Sequence, residues 1–178
     1  GDAIAQNNLG LMYAQGQGVT QDFTKARQLY ELAAAQGYAK AQCSLGLMYA
    51  QGQGVAQDFK KAREWYELAA AQGYANAQFN LAFMYHEGQG VAQDFTKARE
   101  WYELAAAQGY ANAMNSIGVL YMAGQGVELD LNEAMRWFLK AKGHGKDVSQ
   151  YVAAVMEERK RQNAQSHETR IPGPAPGA

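Results

Sequence analysis

Three things are scarce in this chain, and each scarcity removes a class of protein. There is one cysteine in 178 residues, Cys43, so neither an internal disulfide nor a cysteine-based zinc cluster can form. All three prolines fall between Pro172 and Pro176, so everything before them lacks the strongest helix breaker. No apolar run approaches the ~18 residues needed to cross a bilayer. Charge of either sign is balanced: 16 Lys and Arg against 17 Asp and Glu leave a net −1. That removes the electrostatic basis for general nucleic-acid or anionic-membrane binding. What the chain does have is 48% hydrophobic residues, too many for a disordered protein. It also has 19 glycines, well above the usual ~7%. High glycine with low proline suggests helices joined by many tight connections.

The glycines recur with a period. Gly16, Gly52, Gly88 and Gly124 are 36 residues apart, as are Tyr13, Tyr49, Tyr85 and Tyr121, and Asp22, Asp58, Asp94 and Asp130. Four units result, 1–36, 37–72, 73–108 and 109–144, and the second and third agree at 28 of 36 positions. A period of this length is the signature of a helical solenoid, in which each unit packs on its neighbours.

Each unit reads as two helices. In the second, helix A runs from about Ala39 to Gln51, with Leu45, Met48 and Tyr49 at helical spacing. Gly52-Gln53-Gly54 ends it, because glycine accepts the left-handed conformation of a helix stop. Asp58 is a suitable N-cap for helix B, which places Phe59, Ala62, Trp65, Tyr66 and Ala69 on one side. Gly46, Ala62 and Ala69 allow close backbone approach while Tyr and Trp fill the remaining space.

The string A-x-A-Q-x-x-L-G-x-M-Y-x-x-G-x-G-V-x-x-D-F-x-K-A-x-x-W-Y-x-x-A-A-x-Q-G resembles the Sel-1-like repeat, a relative of the tetratricopeptide repeat, over residues 1–144. The resemblance implies an all-α, α/α right-handed superhelical solenoid. It implies a scaffold or adaptor for protein or peptide partners, with no enzymatic activity and no cofactor. It leans toward a periplasmic or secreted location, while a free cysteine without disulfides suits the cytoplasm. The cysteine-rich branch of the family is excluded, since its repeat cysteines are missing.

Beyond residue 144 the pattern fails. Ala153 stands where the units carry Leu9, Leu45, Leu81 and Ile117, and Glu157 stands where they carry the packing tyrosine. Residues 147–165 still read as a helix with a Val148, Tyr151, Val152 and Val155 stripe, as expected of a cap. The solenoid domain is therefore set at 1–165. Residues 166–178 are a Pro-rich tail that favours extended geometry. Such a tail is a natural ligand for a groove, which raises a second reading, a self-assembly module whose tail docks on its own or a neighbouring chain. The first unit opens in phase, with Asp2 where later units have Tyr38, Tyr74 and Tyr110. The expectation is a longer array or a removed leader ahead of Gly1.

By analogy with tetratricopeptide repeats, the concave face consists of positions 4, 7, 11, 14 and 15 of each unit. All five vary across the first three units, whereas only seven of the other 31 positions do. Identity is kept where units pack and lost where they face the groove. The candidate peptide-binding residues are Asn7 and Leu11; Lys40, Cys43 and Leu47; Asn76, Phe79, Phe83 and His86; and Asn112, Asn115, Val119 and Met122. Leu11, Leu47, Phe83 and Val119 form an apolar column, and the asparagines suit a peptide main chain. Lys40 alone cannot make a clamp for a C-terminal carboxylate, so an extended, partly apolar segment fits better. The competing reading is that the column packs between helices.

Catalytic patterns do not assemble. His86-Glu87 has no second histidine four residues on, and none of Ser44, Ser116, Ser149 and Ser166 begins a Ser-x-x-Lys. Gly-Gln-Gly-Val lacks the flanking strand and Gly-Lys of a phosphate loop.

Overall fold

The computed structural model describes residues 1–168. The described residues form nine helices: α1 (Ala3–Gln15), α2 (Phe23–Ala35), α3 (Ala39–Gln51), α4 (Phe59–Ala71), α5 (Ala75–Glu87), α6 (Phe95–Ala107), α7 (Ala111–Ala123), α8 (Leu131–Gly143) and α9 (Ser149–Glu168). Odd-numbered α1 to α7 are the A helices and α2 to α8 the B helices. The chain is an all-α solenoid of four helix pairs.

The punctuation of the sequence explains the boundaries. Gly16, Gly52, Gly88 and Gly124 end the A helices in the left-handed region, at φ of 64–70°. Asp22, Asp58, Asp94 and Asp130 open the B helices, each carboxylate accepting from a backbone N–H of the first turn. Three of the later A helices start differently: Tyr38, Tyr74 and Tyr110 sit at the cap position without a side-chain hydrogen bond.

Within a pair, helices approach through a small residue. A Cβ at Gly46 would lie 2.6 Å from the Tyr66 ring, and one at Gly118 would lie 2.6 Å from Phe138. Between pairs, the B helix of one unit receives the A helix of the next. Ala26, Tyr30, Ala33 and Ala34 of α2 pack with Ala41, Leu45 and Met48 of α3, and the two following junctions repeat this pattern. Glutamines join both levels. Gln72 donates to Gln42 Oε1 at 2.7 Å within a pair, while Gln42 reaches back to the Ala34 carbonyl of the pair before it. Gln108 and Gln78 repeat the arrangement with Ala70.

The last helix, α9, covers α8. Val148 and Val155 are buried and Tyr151 stacks on Phe138, with centroids 5.1 Å apart. Arg159 donates to the Leu131 carbonyl and to Asn132 Oδ1. Lys160 and Arg161 pair with Glu157 and Glu158, so the basic cluster is engaged within the chain. Counted in repeat frame, the cap buries position 4, Val148 just ahead of α9, and position 11, Val155, where the A helices bury 5, 9 and 12. It is therefore rolled by one residue, about 100°, and that is why Ala153 and Met156 face outward. The helix begins two residues later than the sequence pattern suggests and takes in three residues expected in the tail. The rest of that tail, and the docking expected of it, lie outside the described residues.

Candidate functional site

The A helices of the first three units line a trough made of three adjoining cavities. One of about 290 Å³ is bordered by Leu11, Ala14, Gln21, Phe23, Tyr30 and Leu47 among others. The next, of about 360 Å³, is lined by Asn7, Leu11, Tyr30, Lys40, Cys43, Ser44, Leu47, Tyr74, Asn76, Asn80 and Tyr110. The third, of about 430 Å³, is lined by Leu47, Ala50, Gln51, Gln57, Phe59, Tyr66, Phe79, Asn80, Phe83, Met84 and Gln89. Leu47 borders all three, which makes them one continuous depression. Among these walls Lys40 is the one charged side chain.

Position 11 of the repeat points into this trough. Leu11, Leu47 and Phe83 are each 42% exposed, an unusual state for large apolar groups repeated in a row. Val119, the fourth member of the column, is half-buried against the C-terminal core cluster. Position 4 is open as well, with Lys40, Asn76 and Asn112 exposed.

Position 7 behaves otherwise. Asn7, Cys43 and Asn115 are buried, and Phe79 is wedged between Tyr102 and Tyr110 at centroid distances of 5.5 and 5.1 Å. Burial pushes the Cys43 thiol up to about 12, against a weaker opposing hydrogen bond from Asn80. The sulfur therefore stays a neutral thiol at physiological pH, which suits an apolar filler and not a nucleophile. The Oδ1 atoms of Asn7 and Asn115 are buried without a hydrogen-bond partner. His86 is half-buried, with Nδ1 2.7 Å from Glu87 Oε1 and its ring edge-on to Phe95. Met122 is half-buried. The structure thus brings Asn7, Leu11, Lys40, Cys43, Leu47, Asn76, Phe79 and Phe83 around the trough. It leaves His86, Asn112, Asn115, Val119 and Met122 outside these three cavities.

Several lining residues are absent from the sequence-based set. Tyr30 and Tyr66 come from B helices, and burial raises both phenols, Tyr30 in spite of its hydrogen bond to Ser44. Ser44 and Asn80 occupy position 8, which stays Asn or Ser in all four units. Tyr74 and Tyr110, at position 2, reach across from neighbouring units. The always-polar position 8 was the available signal. Among the described residues no group of His, Cys, Asp and Glu could hold a metal ion, and no helix is long and apolar enough to cross a membrane.

Comparison with known proteins places this arrangement. The Sel1 repeat model matches residues 3–38, 39–74, 75–110 and 111–146. The protective antigen c5321 of uropathogenic Escherichia coli, which displays an SLR fold, superposes with a TM-score of 0.79 at 44% identity, covering 82% of this chain and 31% of that one. A Sel1 repeat protein from Oxalobacter formigenes gives 0.79 at 34% identity, covering 82% and 59%. The immunity protein Pa5087 of Pseudomonas aeruginosa, at 20% identity and a TM-score of 0.52, covers 81% and 69% and shares the fold alone. The chain therefore spans about a third and three fifths of the first two proteins it matches. No curated protein matches it.

Proposed function

The chain belongs to the Sel1 repeat family, whose members generally act as non-catalytic protein–protein interaction scaffolds, and from that premise we propose that it holds an extended, partly apolar peptide along α1, α3 and α5. The observation that carries this reading is Leu47, which borders three successive cavities and makes them one trough. Apolar walls favour a leucine-, methionine- or phenylalanine-sized anchor, worth about 1.5–3 kcal/mol when fully buried. The amides of Asn76, Asn80, Gln51, Gln57 and Gln89 lie along the same walls. They can donate to and accept from a peptide main chain. With Lys40 as the one charged lining residue, a strongly acidic or basic ligand gains little.

Selection of binders from a random peptide library on the immobilised chain tests this reading. Selected peptides should carry apolar or aromatic anchors. Phe83→Ala should weaken them by about 1–2 kcal/mol, and Phe79→Ala with Phe83→Ala by about 2–4 kcal/mol together, read by calorimetry. Phe83 is the cleaner probe, because Phe79 also packs on Tyr102 and Tyr110. Peptides that bind the Phe83→Ala and Leu47→Asp variants as tightly as the parent chain would move the site to another surface.

A further inference from the structure

One apolar face in the described residues has a counterpart elsewhere in the same chain that shows what belongs on it. In α3, α5 and α7, positions 9 and 12 are buried against the preceding B helix. Leu45, Leu81 and Ile117 are 0% exposed, and Met48, Met84 and Leu120 are 0–3% exposed. In α1 the same positions are Leu9 at 41% and Met12 at 38%. Two further features agree. A Cβ on Gly54, Gly90 or Gly126 would lie 2.7–2.8 Å from Phe23, Phe59 or Phe95 of the preceding unit, whereas one on Gly18 would meet only Met12 Cε at 3.7 Å. Gln42 and Gln78 reach back to a carbonyl of the preceding B helix. Gln6 accepts from Gln36 but has no such carbonyl before it.

We propose that this face of α1 is an interface for the second helix of a further repeat of the same kind, supplied by polypeptide outside these 178 residues. The inference rests on the unpartnered face, not on the position of Gly1, and it is independent of the peptide trough. The fitting helix begins Asp-Phe, so that its phenylalanine fills the space over Gly18. It then presents alanines and one tyrosine on a single side, as α2, α4 and α6 do toward α3, α5 and α7. A second copy of this chain cannot supply it as folded. Its α2, α4 and α6 are already covered by their own following helices, and its α8 is covered by α9.

The test is to join an additional copy of residues 37–72 ahead of Gly1, which reproduces the Gln36–Gly37 junction. Amide exchange in α1 should slow by about 10-fold or more, and Tm should rise by about 5 °C or more. Leu9→Asp should abolish both gains in the extended chain and leave the Tm of the 178-residue chain within about 2 °C. Unchanged exchange and Tm on extension would overturn the proposal. So would a Leu9-dependent dimer of the 178-residue chain in sedimentation velocity, because the occupant would then be a second copy.

Discussion

Glycine and tyrosine set the geometry of each repeat at the level of single residues. Gly54 combines a φ of +67° with Phe23 backbone 3.0 Å from any added Cβ, while at Gly18, φ +70°, an added Cβ would meet only Met12 Cε in ordinary contact at 3.7 Å. An alanine at φ > 0 costs roughly 1–2 kcal/mol, and overpacking adds typically 1–3 kcal/mol. Gly54→Ala should therefore lower stability by about 2–5 kcal/mol and Gly18→Ala by about 1–2 kcal/mol. Urea denaturation of the pair measures the difference, which isolates the contact between units; equal losses would mean the Phe23 contact contributes nothing. The residue scale is also where the sequence was least legible for the site. The exposed Leu11, Leu47 and Phe83 follow from helical spacing. The burial of Asn7, Cys43 and Asn115 does not, because it depends on residues such as Tyr66 that reach in from another helix. Position 8 is hidden in the sequence for the same reason: Ser44 and Asn80 matter through Tyr30 and Cys43, which are far away from them in sequence.

The helices themselves were the most legible feature. Each A helix ends at its expected glycine, and each B helix starts after its expected aspartate. Local chemistry suffices for those boundaries, since caps and stops act within one turn. Asp58 Oδ1 accepts from the Lys61 N–H at 3.0 Å, and removing it leaves that exposed first-turn donor to water alone. Asp58→Ala should cost about 1 kcal/mol, read from the chemical denaturation midpoint. A loss below about 0.3 kcal/mol would place the start of α4 under the control of packing instead of its cap. The glutamine links were not legible, because Gln42 and Gln72 meet across 30 residues and nothing in their spacing pairs them. The roll of α9 escaped too. A valine stripe announces a buried face but not the direction in which the helix presents it.

At the scale of the molecule, one end is closed by a helix that does not follow the repeat. Deleting residues 147–178 removes Val148 and Val155, both buried, and uncovers Phe138. At about 1.5–3 kcal/mol for each buried side chain, the loss should be about 3–6 kcal/mol, concentrated in the fourth unit. Hydrogen exchange should show α8 opening before α2, α4 and α6; uniform protection across all four would contradict a capping role for α9.

Among the described residues, the substantial packing runs between helices adjacent in sequence, from α1 on α2 through to α8 on α9. That gives the chain a low contact order, and such proteins fold quickly because no long loop has to close first. It also makes the molecule behave like a stack whose layers part in order. Pulled from its ends, the array should peel layer by layer in separate force peaks, starting at the layer that has a neighbour on one side only.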